Sequence, residues 1–530
     1  VPRILVKQHE QGYSVFRQAA EEDPHPVPTL WPSRLPRSQE ALCRLRIWRL
    51  RAPAQLQLGQ VTLMPLREAC GVVGISTTTP ALHNLLIGLR ALQHRGQESA
   101  GVALFDGEHL TRRGMGLVAE ALTNFETRFH DAVTGIGHVR YSTAGDSSLR
   151  NAQPITASFA TGELSLAHNG TISNQQELRE HWETEGAAFM SDTDSEIIVR
   201  LIAHRLPHAG SMIGAIREAM GRMVGSYSIA MLHNNELFAF RDPLGIKPLC
   251  LGELPDGHIV ASESVALDAI GATFVRDITP GEIVQLTPNG VVSHPPPSGG
   301  EHAFCMFEYV YFARPDSRMD GTLAYSVRQE LGRQLWREHP VEADLVVPVP
   351  DSGIAHALGF AEAAGIPYRE GLIKNRYVWR SFIQPHDAQR KATINEKLNP
   401  IREFLEGKRV VLIDDSIVRG NTSRRIVARV REAGAKEVHL RVGCPPIISP
   451  CYLGIDMPSR EEFIAPGKSM KEITRDVGAD SVAYISIDGL VRAVGKPHNE
   501  LCLGCINEEY PVPIPGERVR GQATLEEFEA

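Results

Sequence analysis

The sequence predicts an α+β domain over 70–300, followed by an α/β domain over 301–510. In the second domain, apolar runs typical of strands alternate with helical stretches, near 409–413, 437–443 and 482–487. Strands that alternate with helices indicate a parallel sheet built from βαβ units. In the first domain, a short apolar strand at 70–75 precedes a helical pattern over about 80–94 and then further strands and loops. A chain of 530 residues is long enough for two such cores.

The composition argues against several classes of partner. The net charge of −8 and the aromatic content of 6% do not favour a nucleic acid held by bulk electrostatics. No uninterrupted apolar run approaches the roughly 20 residues of a membrane helix, and residues 1–7 lack the pattern of a secretion signal. The 8 cysteines are too few and too scattered for a disulfide scaffold. We therefore expect a cytoplasmic protein with no nucleic-acid and no membrane partner.

The two ends of the chain differ in composition from the rest. Residues 1–63 are rich in Pro, Arg and Gln, and 44–51 have the pattern of a basic amphipathic helix for a membrane surface or a partner. The alternatives are a disordered extension or a reading frame taken from too early a start, because Met64 lies six residues before Cys70. Residues 511–530 are expected to form a polar tail. We expect no site residue in 1–63.

The stretch 410–423 has the order of groups that a sugar phosphate requires. A β-branched apolar strand ends in Asp414 and Asp415, a short loop follows, and Thr422 and Ser423 open a helical pattern that runs to about 434. The N–H groups of the loop and the helix N-terminus favour a phosphate, while the two acids suit ribose hydroxyls or a metal. The alternative is an ordinary turn with a solvated pair of Asp residues.

This stretch resembles the phosphoribosyl-pyrophosphate (PRPP) motif of type I phosphoribosyltransferases. The resemblance implies that PRPP is bound by the motif and by the cation-rich loop 374–385, through Lys374, Arg376, Asp414, Asp415, Ser416, Gly420, Thr422 and Ser423. It also implies one Mg²⁺ per subunit, held by Ser352, Asp414 and Asp415. The alternative for loop 374–385 is a solvated basic surface.

Five short segments of the first domain each combine a strand or loop with one or two polar groups; they are 70–75, 95–103, 137–143, 167–170 and 191–196. In this order and spacing they resemble the glutamine amidotransferase domain of the N-terminal-nucleophile class. The resemblance implies an αββα sandwich, in which helices cover the outer faces of two packed sheets. It covers about 230 residues.

The chemistry of an N-terminal cysteine agrees with that resemblance. A free α-amine titrates near pH 8 and can take the thiol proton as the sulfur attacks the glutamine amide carbon. By resemblance, Asn169 and the N–H of Gly170 stabilise the oxyanion, while Arg140 and Asp194 bind the α-carboxylate and α-ammonium of glutamine. The alternative for Cys70 is a small buried hydrophobic residue.

Taken together, the two domains resemble the amidophosphoribosyltransferases, from Cys70 to about Pro511. The resemblance implies that glutamine is hydrolysed at Cys70 and that the ammonia reaches carbon 1 of PRPP through a channel. The products are 5-phosphoribosylamine, pyrophosphate and glutamate, in the first committed step of purine biosynthesis. Feedback inhibition by purine nucleotides and a homotetramer are implied in the same way.

Two further features point to one branch of this family. Cys70 follows another residue and so lacks a free amine, and a start at Met64 leaves 64–69 as a short propeptide. The resemblance to one branch of the family implies that this propeptide is removed by self-catalysis. Four cysteines, Cys305, Cys451, Cys502 and Cys505, form a plausible thiolate set that suits either zinc or an iron–sulfur cluster. By resemblance to the propeptide-bearing branch, they hold a [4Fe–4S] cluster.

Other functions make different predictions. Synthases of glucosamine 6-phosphate or asparagine also use glutamine, but they carry a sugar isomerase or adenylating domain in place of the PRPP stretch. A regulator that senses purine nucleotides without transfer would have lost Asp414, Asp415 or Cys70, and all three are present. We therefore expect an enzyme.

Overall fold

The structure, a computed structural model, describes residues 4–9, 12–17, 70–141, 147–159, 162–288, 290–297, 301–375, 398–457 and 460–515. The chain divides into two compact units, 1–62 and 63–530. In the first unit, strands β1 (Ile4–His9) and β2 (Gly12–Arg17) form an antiparallel hairpin. The rest of the predicted extension, the predicted propeptide 64–69 and residues 516–530 of the predicted tail lie outside the described residues.

Antiparallel strands and flanking helices form the first domain of the larger unit. Its strands are β3 (Gly71–Thr77), β4 (Ser99–Phe105), β5 (His109–Met115), β6 (Thr134–Arg140), β7 (Ile155–Phe159), β8 (Gly162–Ile172), β9 (Gly225–His233), β10 (Glu236–Arg241), β11 (Cys250–Leu254), β12 (Gly257–Ala261), β13 (Thr273–Asp277), β14 (Ile283–Thr287) and β15 (Gly290–His294). Its helices are α1 (Leu82–Ala91), α2 (Val118–Ala121), α3 (Gln175–Thr184), α4 (Asp194–Ala209), α5 (Met212–Met220) and α6 (Ser264–Ile270).

These strands make two sheets that pack face to face, in the orders β13-β11-β12-β3-β6-β4-β5 and β15-β14-β10-β9-β8-β7. Strand β3 presents apolar side chains to both faces of its sheet, because successive residues of a strand point to opposite faces. Val72 packs into the core between the sheets, while Val73 and Ile75 pack against α1 and α6 on the outer face. Helices α4 and α5 cover the outer face of the other sheet. The predicted αββα sandwich is confirmed.

The second domain contains a parallel sheet in the order β19-β22-β23-β24. Its strands are β16 (Phe304–Cys305), β17 (Arg318–Met319), β18 (Thr322–Leu323), β19 (Leu345–Pro348), β20 (Leu372–Lys374), β21 (Leu398–Pro400), β22 (Arg409–Asp414), β23 (Glu437–Val442), β24 (Ser481–Tyr484) and β25 (Leu501–Cys502). Its helices are α7 (Ala324–Glu338), α8 (Ile354–Ala364), α9 (Arg402–Leu405), α10 (Asn421–Glu432), α11 (Met470–Val477), α12 (Ile487–Val494) and α13 (Gly504–Asn507). The predicted α/β domain is confirmed.

Local chemistry explains where the predicted third strand of this sheet stops. The prediction extended it to 487, but β24 ends at Tyr484. Ser486 instead caps α12, because its hydroxyl accepts a hydrogen bond from the N–H of Gly489. Within β22, Val411 and Ile413 pack on the side of α7 and α8, whereas Val410 and Leu412 pack on the side of α10 and α11. The strand is therefore buried on both faces, as parallel sheets require.

No helix in the described parts of the chain is long and apolar enough to span a bilayer.

Helices α7 and α8 can approach closely because α8 has a glycine, Gly359, where the two helices meet. Substitution of this glycine tests the packing. A Cβ added at Gly359 would overlap the carbonyl oxygen of Gln329 on α7. We expect Gly359→Ala to lower the free energy of unfolding by about 1–3 kcal/mol through overpacking, measured as a lower urea midpoint. As a control, Gly221→Ala lies at a helical φ of −66°, with its nearest neighbours at 3.6 Å, and should leave the midpoint unchanged. Equal midpoints for both variants would contradict this packing.

Candidate active sites

Cys70 lies in a small pocket where β3 begins. The pocket is lined by Cys70, Arg140, Tyr141, Gln153, His168, Gly170, Thr193 and Asp194. The structure thus brings together four of the predicted glutamine-site residues from β3, β6, β8 and α4. The thiol donates a hydrogen bond to the carbonyl of Tyr141 at 3.3 Å. Burial raises the pKa of Cys70, so the thiol is protonated near neutral pH and needs a base to become a nucleophile.

Asn169 and Gly170 have the features of a site prepared for an anion. Asn169 is fully buried, and among the described residues neither its amide nitrogen nor its amide oxygen has a hydrogen-bond partner. A buried amide of this kind is costly unless a ligand satisfies it. Gly170 has φ of +146°, and a side chain there would overlap the carbonyl oxygen of Ser226 on β9. Only glycine fits this position.

Opposite charges flank the pocket. Arg140 is buried and donates to Glu98 at 2.6 Å. Asp194 accepts a hydrogen bond from the N–H of Ile172 at 3.1 Å and lies 3.6 Å from Nδ1 of His168. Burial raises the pKa of Asp194, but the charge of His168 and the hydrogen bonds outweigh this and leave the pKa lowered. An ionised carboxylate and a guanidinium across one pocket suit a zwitterionic amino acid.

Glu98 and Arg95 also belong to this site and were not predicted from the sequence. Glu98 holds Arg140, and Arg95 donates from Nε to the carbonyl oxygen of Cys70 at 2.9 Å. Both lie in the segment 95–103 that the analysis had singled out as a whole. A charged side chain in a predicted buried segment was the available signal, because such a group requires a partner.

The predicted acid pair lies at the carboxyl end of β22. Asp414 and Asp415 are both buried, and burial raises the pKa of each. Asp415 accepts a hydrogen bond from the hydroxyl of Ser416 at 2.7 Å, and Ser352 also hydrogen bonds to its side chain. The loop 350–353 lies against this strand end, because the N–H of Val349 donates to the carbonyl of Ile413 at 2.8 Å. Loop 350–353 and the loop after Asp414 therefore converge on one site.

A helix N-terminus and a lysine complete the described part of this second site. Gly420 has φ of +76° and precedes α10, which begins at Asn421, one residue before the predicted start at Thr422. Ser423 is buried within the first turn. Lys374 forms an ion pair with Asp351 at 2.6 Å, which places it beside loop 350–353. Arg376 lies outside the described residues.

The four predicted cluster cysteines lie near one another. Cys305 on β16 is paired with Cys502 on β25 in parallel register. The carbonyl of Cys505 accepts hydrogen bonds from the N–H groups of Ile448 and Ser449, which brings the chain before Cys451 alongside. All four are free cysteines. Burial raises the pKa of Cys502, and the neighbouring Cys305 and Cys451 raise it further.

Metal binding at either centre remains a prediction. In the part of the chain that the structure describes, no group of three or more His, Cys, Asp or Glu side chains is arranged to hold a metal ion.

The loop after Cys451 closes over the glycine of the first site. A Cβ added at Gly454 would lie 3.0 Å from the Cα and carbonyl carbon of Gly170. The neighbouring Leu453 carbonyl accepts a hydrogen bond from the hydroxyl of Ser226 at 2.8 Å. The second domain therefore buttresses the strand that carries Asn169 and Gly170.

Known proteins resemble this chain over most of its length. A family model described as "Glutamine amidotransferase domain" matches residues 138–269. An amidophosphoribosyltransferase from Methanothermobacter thermautotrophicus is 50% identical over 85% of this chain and 96% of its own length. One from Bacillus subtilis is 43% identical over 85% of this chain and 95% of its own length.

Solved structures agree with the fold as a whole. The B. subtilis glutamine PRPP amidotransferase, complexed with ADP and GMP, has a TM-score of 0.79 and 42% identity, covering 85% of this chain and 99% of that one. A structure described as the allosteric regulatory enzyme of purine biosynthesis has a TM-score of 0.80 and 41% identity, covering 86% of this chain and 100% of that one.

The contact between Gly454 and Gly170 generates a second test. We expect Gly454→Ala to displace the backbone at Gly170 and to slow glutamine hydrolysis at least about tenfold. A rise of about 1.4 kcal/mol in the activation free energy is enough to cause that loss. Gly467→Ala is a matched control, because both glycines have positive φ, +95° and +73°, but Gly467 has nothing within 4 Å of an added Cβ. Steady-state glutamate release measures both variants. A loss of equal size in the control would assign the effect to backbone strain.

Proposed function

The chain belongs to the amidophosphoribosyltransferase family, with 42–50% identity to its members over most of its length, and on this basis we propose how its two sites divide the reaction. It is a glutamine-dependent transferase that catalyses the first step of purine biosynthesis. The observation that carries the assignment of roles is the pocket in which Cys70 meets Arg140, Asp194 and Gly170 beside the unsatisfied amide of Asn169.

In the first half-reaction, Cys70 attacks the side-chain amide of glutamine. Arg140 and Asp194 hold the α-carboxylate and α-ammonium, which orients the amide carbon toward the sulfur. The α-amine of a processed Cys70 takes the thiol proton. The Asn169 amide and the Gly170 N–H donate to the oxyanion. Its collapse, with the proton passed from the α-ammonium of Cys70 to the leaving nitrogen, releases ammonia and leaves a thioester. Water then hydrolyses the thioester to glutamate and restores the thiol.

Processing is required for that base to exist. We infer that residues 64–69 are a propeptide and that cleavage before Cys70 frees its amine. The raised pKa of the buried thiol supports this inference, because an unassisted thiol would remain protonated.

In the second half-reaction, ammonia attacks carbon 1 of PRPP and pyrophosphate leaves. Neutral ammonia is already a nucleophile, so this site works through positioning and charge stabilisation. Asp414 and Asp415 would accept hydrogen bonds from the ribose hydroxyls, and the loop from Ser416 through Gly420 to Thr422 and Ser423 would donate N–H and hydroxyl groups to a phosphate. Lys374 and Arg376 would bind pyrophosphate.

The donor set at this site also fits Mg²⁺. Two adjacent buried carboxylates are unfavourable without a cation, and Ser352 adds a hydroxyl oxygen beside Asp415. Asp414, Asp415 and Ser352 would hold the ion, one per subunit, and when bound it would neutralise charge on the leaving pyrophosphate.

The proposal of an iron–sulfur cluster is supported by four free cysteines on chain segments that lie side by side. Leu453 donates its N–H to the sulfur of Cys451 at 3.3 Å, a contact that suits a thiolate ligand. Cys305, Cys451, Cys502 and Cys505 would hold a [4Fe–4S] cluster with a structural role, because neither half-reaction moves electrons. Thiols that must remain unpaired suit a reducing compartment such as the cytoplasm.

Regulation and assembly are proposed from the relatives. A B. subtilis relative is complexed with ADP and GMP, and we infer that purine nucleotides bind to this chain as feedback inhibitors. A homotetramer is proposed on the family resemblance alone.

Two substitutions separate the proposed half-reactions. We expect Asn169→Ala to lower kcat for glutamine hydrolysis by about 10²–10³, the usual cost of an oxyanion donor, while ammonium chloride still supports synthesis of 5-phosphoribosylamine. We expect Asp415→Asn to abolish synthesis from either nitrogen source. Coupled assays of glutamate and pyrophosphate release measure both. An Asn169→Ala variant that loses the ammonia-dependent rate as well would refute this division of roles.

A further inference from the structure

A buried arginine under Cys70 joins the two domains. The Arg95 side chain is fully buried, and its Nε donates to the carbonyl oxygen of Cys70 at 2.9 Å. Its Nη1 and Nη2 donate to the two carboxylate oxygens of Glu308 at 2.9 and 2.7 Å. Nη1 also donates to Glu263 at 2.5 Å. Arg95 and Glu263 belong to the first domain, whereas Glu308 belongs to the second.

Charge balance makes Glu308 necessary for this arrangement. Burial alone would lower the pKa of Arg95, but Glu308 and Glu263 raise it, so the guanidinium stays charged. Glu263 is already shared, since it also accepts hydrogen bonds from His94, the N–H of Arg314 and the hydroxyl of Ser317. Glu308 holds Arg95 through a bidentate pair, which fixes both the position and the plane of the guanidinium.

The turn that presents Glu308 is itself anchored in the second domain. Residues Glu308–Phe312 form one turn of π-helix. Arg328 on α7 donates to the carbonyl of Tyr309 at 2.8 Å and to the carbonyl of Ala313 at 2.7 Å. The turn that carries Glu308 is thus held within the second domain by Arg328.

We propose that Glu308, supplied by the transferase domain, is a positioning residue for glutamine hydrolysis through Arg95. The proposal rests on the proposed function of Cys70 as an N-terminal nucleophile. Once the chain is cleaved before Cys70, no preceding residue restrains it, and its main chain is held from one side only. The Arg95 hydrogen bond to the Cys70 carbonyl then limits rotation of the residue that carries both thiol and amine. Glu308 keeps Arg95 in place to make that bond.

The same pair explains why the first domain would be incomplete alone. Without Glu308, the guanidinium keeps one shared carboxylate and loses its bidentate restraint. A small displacement at a nucleophile can cost about 10²-fold in rate. Loss of Glu308 should lower kcat for glutamine hydrolysis and leave KM for glutamine unchanged. The groups that bind glutamine, Arg140 and Asp194, do not contact Glu308 in any described hydrogen bond.

The experiment measures the reaction rate of Glu308→Gln, made in the full chain, with glutamine and with ammonia as the nitrogen source. We expect kcat with glutamine to fall about 10- to 100-fold, with KM for glutamine within about twofold and the ammonia-dependent rate within about twofold of the unmodified enzyme. Alkylation of Cys70 by a diazoketone analogue of glutamine should slow in parallel. Combining Glu308→Gln with Arg95→Lys should add little to the loss from Arg95→Lys alone.

A matched control tests a purely structural role. Glu282 is also buried and forms a bidentate pair with Arg276, at 2.8 and 2.6 Å, but contacts neither Cys70 nor Arg95 in the described hydrogen bonds. Glu282→Gln should reduce thermal stability without a selective loss of the glutamine-dependent rate. If Glu308→Gln does not fold, Glu308→Asp carries the test, because the charge remains but the shorter side chain cannot reach both nitrogens.

The outcomes separate this proposal from the assignment on which it rests. A selective fall in the glutamine-dependent rate, in Glu308→Gln or Glu308→Asp, supports it. Equal falls with both nitrogen sources, or no fall with glutamine, would overturn it. Absence of both activities from the processed, unmodified enzyme would instead refute the proposed roles of Cys70 and the acid pair.

Discussion

The need for a base next to a buried thiol is the constraint on which the proposed glutaminase chemistry depends. Burial raises the pKa of Cys70, and the carbonyl of Tyr141 that accepts its hydrogen bond cannot take a proton. A free α-amine, with an ordinary pKa near 8, supplies a base at the required distance. That solution requires Cys70 to begin the chain and its backbone to be held from the downstream side alone. Strand β3, an internal strand of a sheet that is covered on both faces, provides the rigid support.

The second domain contributes to the glutamine site as well as to its own. Gly454 packs on Gly170, and Glu308 pairs with the arginine that bonds to the Cys70 carbonyl. In the proposed reaction, ammonia passes between the two sites without escaping as ammonium. Contact between the two domains would keep that ammonia away from solvent. The parallel sheet meanwhile places Asp414, Asp415 and Ser352 at one edge, because the carboxyl ends of neighbouring parallel strands coincide.

Local pattern in the sequence predicted the parts of this molecule that local chemistry determines. The strand before Asp414, the helix after Gly420 and the two-domain order follow from apolar runs and helix-start signals. The sandwich and the proposed roles of Asn169 and Arg140 required a family resemblance, because scattered strands do not reveal their own order in a sheet. The Arg95–Glu308 pair was not predicted, since the two residues are 213 positions apart and nothing local marks them as partners.

Intact mass and N-terminal sequencing of the purified protein, combined with an assay of glutamine hydrolysis, test the account most directly. We expect the active chain to begin at Cys70, and we expect uncut chains not to hydrolyse glutamine. In an uncut chain, the nitrogen of Cys70 is part of an amide bond, so no free amine can take the thiol proton. A chain that retains residues before Cys70 and hydrolyses glutamine at the full rate would contradict the proposal that the α-amine is the base.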